Sequence, residues 1–158
     1  MCSPKRVADS LTTHVEILMP PDMNGAGRLF GGQLMRWIDV VAAVVARRHS
    51  GCEVTTAALD RLEFQAPAYV NDTIVLEGRI TYVGRTSMEV RVDTFVEALG
   101  GARRQVNRAY LVMVALDAET HRPTAVPPLL LETDDDRQEW NAGQRRKELR
   151  KERLAECY

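Results

Sequence analysis

Apolar and polar positions change period along the chain, and each change marks an element. Residues 11–19 are β-rich, with Val15, Ile17 and Met19 at alternate positions, and Pro20-Pro21 stops the run, predicting a first strand. Turn formers crowd 22–28, Asp22 and Asn24-Gly25 among them, and Gly31-Gly32 follows, as in a loop running into a helix start. From 32 to 49 no Pro or Gly interrupts, and Leu34, Trp37, Ile38, Val41 and Val45 recur at helical spacing, predicting a helix of about four to five turns. Positions 40–46 are apolar on every side, which predicts burial nearly all round. Such a Val-rich run also fits a buried strand, but the unbroken length from Gly32 favours helix.

Four β-rich runs follow, at 53–64, 73–83, 87–98 and 103–117. The breaks at 67–72, 84–86 and 99–101 are short enough for antiparallel neighbours. One strand, one long apolar helix and four strands make an α+β class: an antiparallel sheet wrapped around one central helix, with a second copy of the sheet covering what remains. From Glu132 the composition turns to Thr133-Asp134-Asp135-Asp136 and then Arg145-Arg146-Lys147, a polar helix capped by Thr133 or an Asp and read as solvated. The expected organisation is a flexible stretch over 1–10, a folded domain over 11–130 and a charged helical tail over 131–158.

A length of 158 residues with 45% hydrophobic and 27% charged content fits one domain with a real core. The formal net charge of -1 argues against a nucleic-acid binder, whose footprint is strongly basic. Cys2, Cys52 and Cys157 are an odd set without metal-ligand spacing, Cys2 and Cys157 lying near ends expected to be mobile. No disulfide framework or metal site is expected, and reduced thiols in a cytosol are the natural reading. No long apolar run follows the N-terminus, so neither a secretory signal nor a membrane span is expected.

Asp39 stands out among residues able to do chemistry, because it sits between Trp37-Ile38 and Val40-Val41 in the helix predicted to be most buried. A carboxylate there is expensive unless paired or hydrogen-bonded. Arg36 could instead pair with it along the helix, or Asp39 could cap a shorter helix beginning at Val40. Asn24 could aim an amide at the same cleft, although Asn before Gly is a common turn pair. The N–H groups of Gly31 and Gly32 at a helix start could hold a developing oxyanion, or the pair could simply serve a turn. Gly84-Arg85-Thr86-Ser87 combines a guanidinium, two hydroxyls and open backbone, groups that recognise phosphate, in what is otherwise a solvated hairpin turn. His14, His49 and His121 form no cluster by spacing, so a His-based triad has no support.

Together these residues resemble the acyl-coenzyme A thioesterases of the hot-dog fold, the broad-range acyl-CoA hydrolases. The resemblance runs through Asn24-Gly25-Ala26-Gly27-Arg28-Leu29-Phe30-Gly31-Gly32, Met35-Arg36-Trp37-Ile38-Asp39, Val54-Thr55-Thr56-Ala57 with Phe64 and Pro67, and Val83-Gly84-Arg85-Thr86-Ser87-Met88-Glu89-Val90. It extends into the tail from Pro128. It implies a dimer joined sheet edge to sheet edge, with larger assemblies such as a hexamer, and active sites at the dimer interface. By position Asp39 matches the family's catalytic helix carboxylate and Asn24 its loop asparagine, and with sites at a dimer interface the two could come from different chains. Gln65-Ala66 and Asn71 depart from the family pattern and bear on coenzyme binding, leaving the chemistry alone.

The implied activity is hydrolysis of acyl-CoA to free carboxylic acid and coenzyme A in the cytoplasm, as part of fatty acid metabolism, with no metal or other cofactor. Asp39 would activate water or attack to form an anhydride. Asn24 would position the water or the carbonyl, and the N–H of Gly32 or Gly31 would hold part of the oxyanion. Gly84, Arg85, Thr86 and Ser87 would meet the coenzyme. A hydratase on this fold would want a His beside an acid, and none stands in the loop entering the helix. The other alternative is a non-catalytic acyl-CoA-binding or sensing module, in which Asp39 is only structural.

Overall fold

The unbroken run after the paired glycines forms helix α1 (Gly31–Ser50) in the computed structural model, which describes residues 3–156. The strands are β1 (Lys5–Arg6), β2 (Thr12–Ile17), β3 (Glu53–Phe64), β4 (Thr73–Val83), β5 (Ser87–Glu97), β6 (Arg103–Leu116) and β7 (Leu129–Leu130), and a second helix, α2 (Asp134–Ala155), closes the chain. Five strands make one antiparallel sheet in the order β2-β4-β5-β6-β3. This is the expected α+β arrangement.

The sheet holds α1 because its inner face is apolar wherever the helix is. Leu34, Ile38, Val41, Ala42, Val45 and Ala46 share one core with Ile74, Leu76, Ile80, Val90, Val92, Leu111 and Met113. Burying each of the larger side chains contributes about 1.5–3 kcal/mol. The closest approach is at Gly78 of β4, where a Cβ would lie 2.7 Å from Val41 Cγ1 and 2.9 Å from Val45 Cγ2. Any side chain there would push the helix off the sheet. At the far end of α1, buried His49 donates from Nε2 to the Pro127 carbonyl at 2.9 Å, and burial pushes its pKa down.

Burial of 40–46 nearly all round is not reached within one chain, where Val40 is 53% exposed and Ala43 and Val44 are only half-buried. One sheet covers one side of α1, and Met35, Asp39 and Val40 mark the side it leaves open. Within the stretch 1–10, expected to be flexible, β1 pairs in parallel with β7 and Val7 and Ser10 are buried. Residues Cys2 and Cys157, also placed in mobile ends, lie outside the described residues.

A further correction concerns α2, which docks on the outer face of the sheet. Thr133 caps it, its hydroxyl accepting from the Asp136 N–H at 3.0 Å while Asp136 Oδ2 accepts from the Thr133 N–H at 3.1 Å. Arg79 pairs with Asp135 and Asp136, Arg91 with Glu139, and Arg150 with Asp60. Glu89 of β5, 1% exposed, takes Arg146 through two hydrogen bonds of 2.7 and 3.0 Å and the Thr81 hydroxyl at 2.7 Å. Trp140 packs on Tyr82 with ring centroids 4.5 Å apart. The charges that make the tail look solvated are the groups that fasten it. No helix among the described residues is long and apolar enough to cross a membrane.

Candidate active site

Because α1 begins at Gly31, Asp39 lies in mid-helix and caps nothing. Among the described residues it forms no ion pair with Arg36. Its Oδ1 instead accepts a 2.6 Å hydrogen bond from the Thr56 hydroxyl of β3. Both residues are exposed, on the open side of α1 and on β3, one of the two edge strands of the sheet. The β3–β6 register slips between Thr56 and Ala58, a bulge directly beside the pair, and such bulges often re-aim side chains next to active sites. Thr56 carried no role in the sequence beyond its place in the Val54–Ala57 run. Its signal is spatial, since the residues that meet are separated by a whole helix-to-strand turn.

Asn24 sits in a loop fastened at both ends, the Leu29 N–H donating to the Ala68 carbonyl and the Phe30 N–H to the Asp22 carbonyl, each at 2.8 Å. Its Oδ1 accepts from the N–H groups of Ala26 at 2.9 Å and Arg28 at 3.2 Å, so the turn role is real. Its Nδ2 makes no hydrogen bond among the described residues. Asn24 lines a cavity of about 300 Å³ with Arg28, Leu29, Leu34, Phe64 and Pro67. Asp39 is not in that lining.

The N–H groups of Gly31 and Gly32 open α1 with no side-chain cap from Phe30, and the first bond of the helix start runs from the Leu34 N–H to the Phe30 carbonyl at 3.1 Å. Free N–H groups at a helix start carry a partial positive charge. A Cβ on Gly31 would come 3.3 Å from Phe64 Cζ, which puts this backbone against the same wall of the Asn24 cavity. One chain therefore sets the Gly31 backbone against Phe64, a wall of the Asn24 cavity, and joins Asp39 to Thr56, but Asp39 does not line that cavity.

Gly84, Arg85 and Thr86 form the β4–β5 connection and Ser87 opens β5, the turn being closed by the Gly84 N–H donating to the Ser87 carbonyl at 2.7 Å. The carbonyls of Thr86 and Arg85 accept from Ala115 and Val126, each at 3.0 Å. This ties the turn to neighbouring segments and leaves the Arg85 side chain exposed, without a carboxylate partner among the described residues. Neither His14, 3.1 Å from Glu16, nor His49 lies with Asp39. Among the described residues no group of three or more His, Cys, Asp or Glu could hold a metal ion.

The family described as the thioesterase superfamily matches residues 26–103. An uncharacterized acyl-CoA thioester hydrolase of Bacillus subtilis (strain 168), YkhA, is 37% identical over 137 residues, 86% of this chain and 79% of that protein. Among solved structures, an apo-hexameric acyl-CoA thioesterase superposes with a TM-score of 0.92 at 37% identity, covering 98% of this chain and 99% of that one. An acyl-CoA hydrolase from Staphylococcus aureus, solved with butyryl coenzyme A, coenzyme A and coenzyme A disulfide, gives 0.90 at 32% identity, covering 96% of this chain and 93% of that one. Variants of that hydrolase with alanine in place of an aspartate, an asparagine or a threonine have also been solved.

Proposed function

The chain belongs to the thioesterase superfamily, and from that premise we propose that it hydrolyses acyl-CoA thioesters to free carboxylic acid and coenzyme A. The observation that carries this is the Asp39–Thr56 pair. A carboxylate in mid-helix, exposed and held through one oxygen by a 2.6 Å hydroxyl bond, keeps its other oxygen for a water or an acyl carbon. As a base, Asp39 takes a proton from water while the water oxygen bonds to the carbonyl carbon. As a nucleophile, it bonds to that carbon itself and water later opens the anhydride. In both routes the carbon–sulfur bond breaks and the thiolate of coenzyme A leaves, taking up a proton.

The carbonyl oxygen gathers negative charge as the carbon becomes tetrahedral, and preorganised donors lower that barrier most. The Gly31 or Gly32 N–H and Asn24 Nδ2 supply them. Asp39 does not line the cavity that Asn24 lines, so the site is assembled from two chains. The edge strand β3, twelve residues long, and the uncovered side of α1 support a second copy pairing there, because an unpaired edge is a ready template for another strand. Dimers of this kind build the hexamer. Gly84 to Ser87 meet the phosphates of the coenzyme.

Release of free thiol from a panel of thioesters, acetyl-CoA to palmitoyl-CoA, tests the activity. Turnover lost in Asp39→Asn, with folding and assembly intact, supports the mechanism. Tight binding of acyl-CoA without thiol release would make the protein a sensor instead.

A further inference from the structure

The β4–β5 turn faces a group from elsewhere in the chain. Lys147 of α2 brings its ammonium to Gly84, where a Cβ would lie 3.1 Å from Nζ and 2.9 Å from Ser87 Oγ. The missing side chain is what makes room for both. Nζ donates one long bond of 3.4 Å to the Tyr82 hydroxyl and stands 5.1 Å from the centre of that ring.

Lys147 is half-buried, as are Arg146 and Arg150 of the same helix. Those two are matched, Arg146 by Glu89 and Arg150 by Asp60. Lys147 has no carboxylate within ion-pairing distance among the described residues. A partly desolvated cation without an anion is costly, and a tyrosine hydroxyl offsets little of that cost. The hydroxyls of Thr86 and Ser87 also make no hydrogen bond among the described residues, and the Arg85 guanidinium is unpaired. Lys147 Nζ and Ser87 Oγ thus meet at Gly84, and Arg85 and Thr86, the next two residues of the same turn, carry side-chain donors with no partner among the described residues.

We propose that Lys147 completes a phosphate cradle with Arg85, Thr86 and Ser87, so that α2 is part of the coenzyme site. The inference rests on the assignment of Gly84 to Ser87 to the coenzyme phosphates, and it adds a contact from another element. An ammonium serves as a point charge beside the forked guanidinium, and two cations of different geometry hold a tetrahedral anion from two sides. The requirement for the cation also gives the Gly143 to Arg150 segment of α2 a reason to be fixed on the sheet by the Glu89–Arg146 pair.

The test compares kcat/KM for an acyl-CoA and for the same acyl group on pantetheine, which carries no phosphate, in the full-length protein. Lys147→Ala is expected to lower the ratio of full to truncated substrate about tenfold, through KM, and Lys147→Arg to restore most of it. An equal loss on both substrates overturns the inference, since Lys147 would then only help to dock α2. Arg85→Ala separates this from the parent assignment. If Arg85→Ala lowers the ratio and Lys147→Ala does not, the coenzyme site stands and the role of Lys147 falls. If neither lowers it, both fall.

Discussion

Thr56→Val removes the hydroxyl that holds Asp39 and keeps the side-chain shape, so it isolates one bond. An O–H···O bond of 2.6 Å to a carboxylate is charge-assisted, and such bonds contribute about 1.5–3 kcal/mol. Both partners are exposed in the single chain, where water takes over part of the role, so the lower end applies. Tenfold in rate corresponds to about 1.4 kcal/mol, and kcat is therefore expected to fall roughly ten- to thirtyfold with KM little changed. Asp39→Asn is expected to cost on the order of a hundredfold or more. The decisive measurement is the cycle of both substitutions, by thiol release on one short-chain acyl-CoA, with thermal unfolding and assembly followed alongside. Thr56 acts through Asp39, so adding Thr56→Val to Asp39→Asn should cost little more. Full additivity, or a Thr56→Val enzyme within twofold of wild type, would refute the claim that this bond orients the reacting carboxylate.

Asn24→Ala should lower kcat more than it raises KM, because the contact of its amide strengthens as the carbonyl becomes tetrahedral; a change confined to KM makes Asn24 a substrate holder only. Arg85→Ala should weaken acyl-CoA binding by roughly 1.5–3 kcal/mol, measured as kcat/KM, and added salt should shrink the wild-type preference for acyl-CoA over acyl-pantetheine. Glu89→Ala leaves Arg146 without its main partner, though it keeps the Tyr110 ring 3.8 Å away and Glu139 at 3.7 Å. Breaking a buried pair typically costs 3–5 kcal/mol, and about 3 is expected here by urea denaturation; a loss below about 1 kcal/mol would mean that the pair does not fasten α2.

Where an element follows from local period, the chain reveals it. The runs read as strands at 53–64 and 73–83 match β3 and β4, and those at 87–98 and 103–117 differ from β5 and β6 only at their last residue. Helix α1 starts one residue before the expected 32 and ends one after 49. What period cannot carry is pairing across distance. β1 and β7 are two residues each and exist only because they meet, and Arg150 finds Asp60 ninety positions away. An array of opposite charges divided between a sheet face and a helix looks, along one strand of sequence, like ordinary solvated surface.

The candidate site was legible in the same uneven way. Asp39 could be picked out because a carboxylate amid valines is locally out of place, whereas Thr56 in a β-rich run is locally ordinary. Only the bulge in β3 and the turn from α1 bring its hydroxyl to Oδ1. The incomplete burial of 40–46 within one chain is informative in itself. An all-round apolar helix segment states how much cover is needed without stating which chain provides it, and one sheet leaves Val40 more than half exposed beside Asp39. In the two-copy site proposed here, that open side and the edge strand β3 are covered together. The apolar surplus on α1 and the exposure of the carboxylate then have one cause. On that proposal, the side that a single chain fails to bury is where the second chain would bring its oxyanion donors.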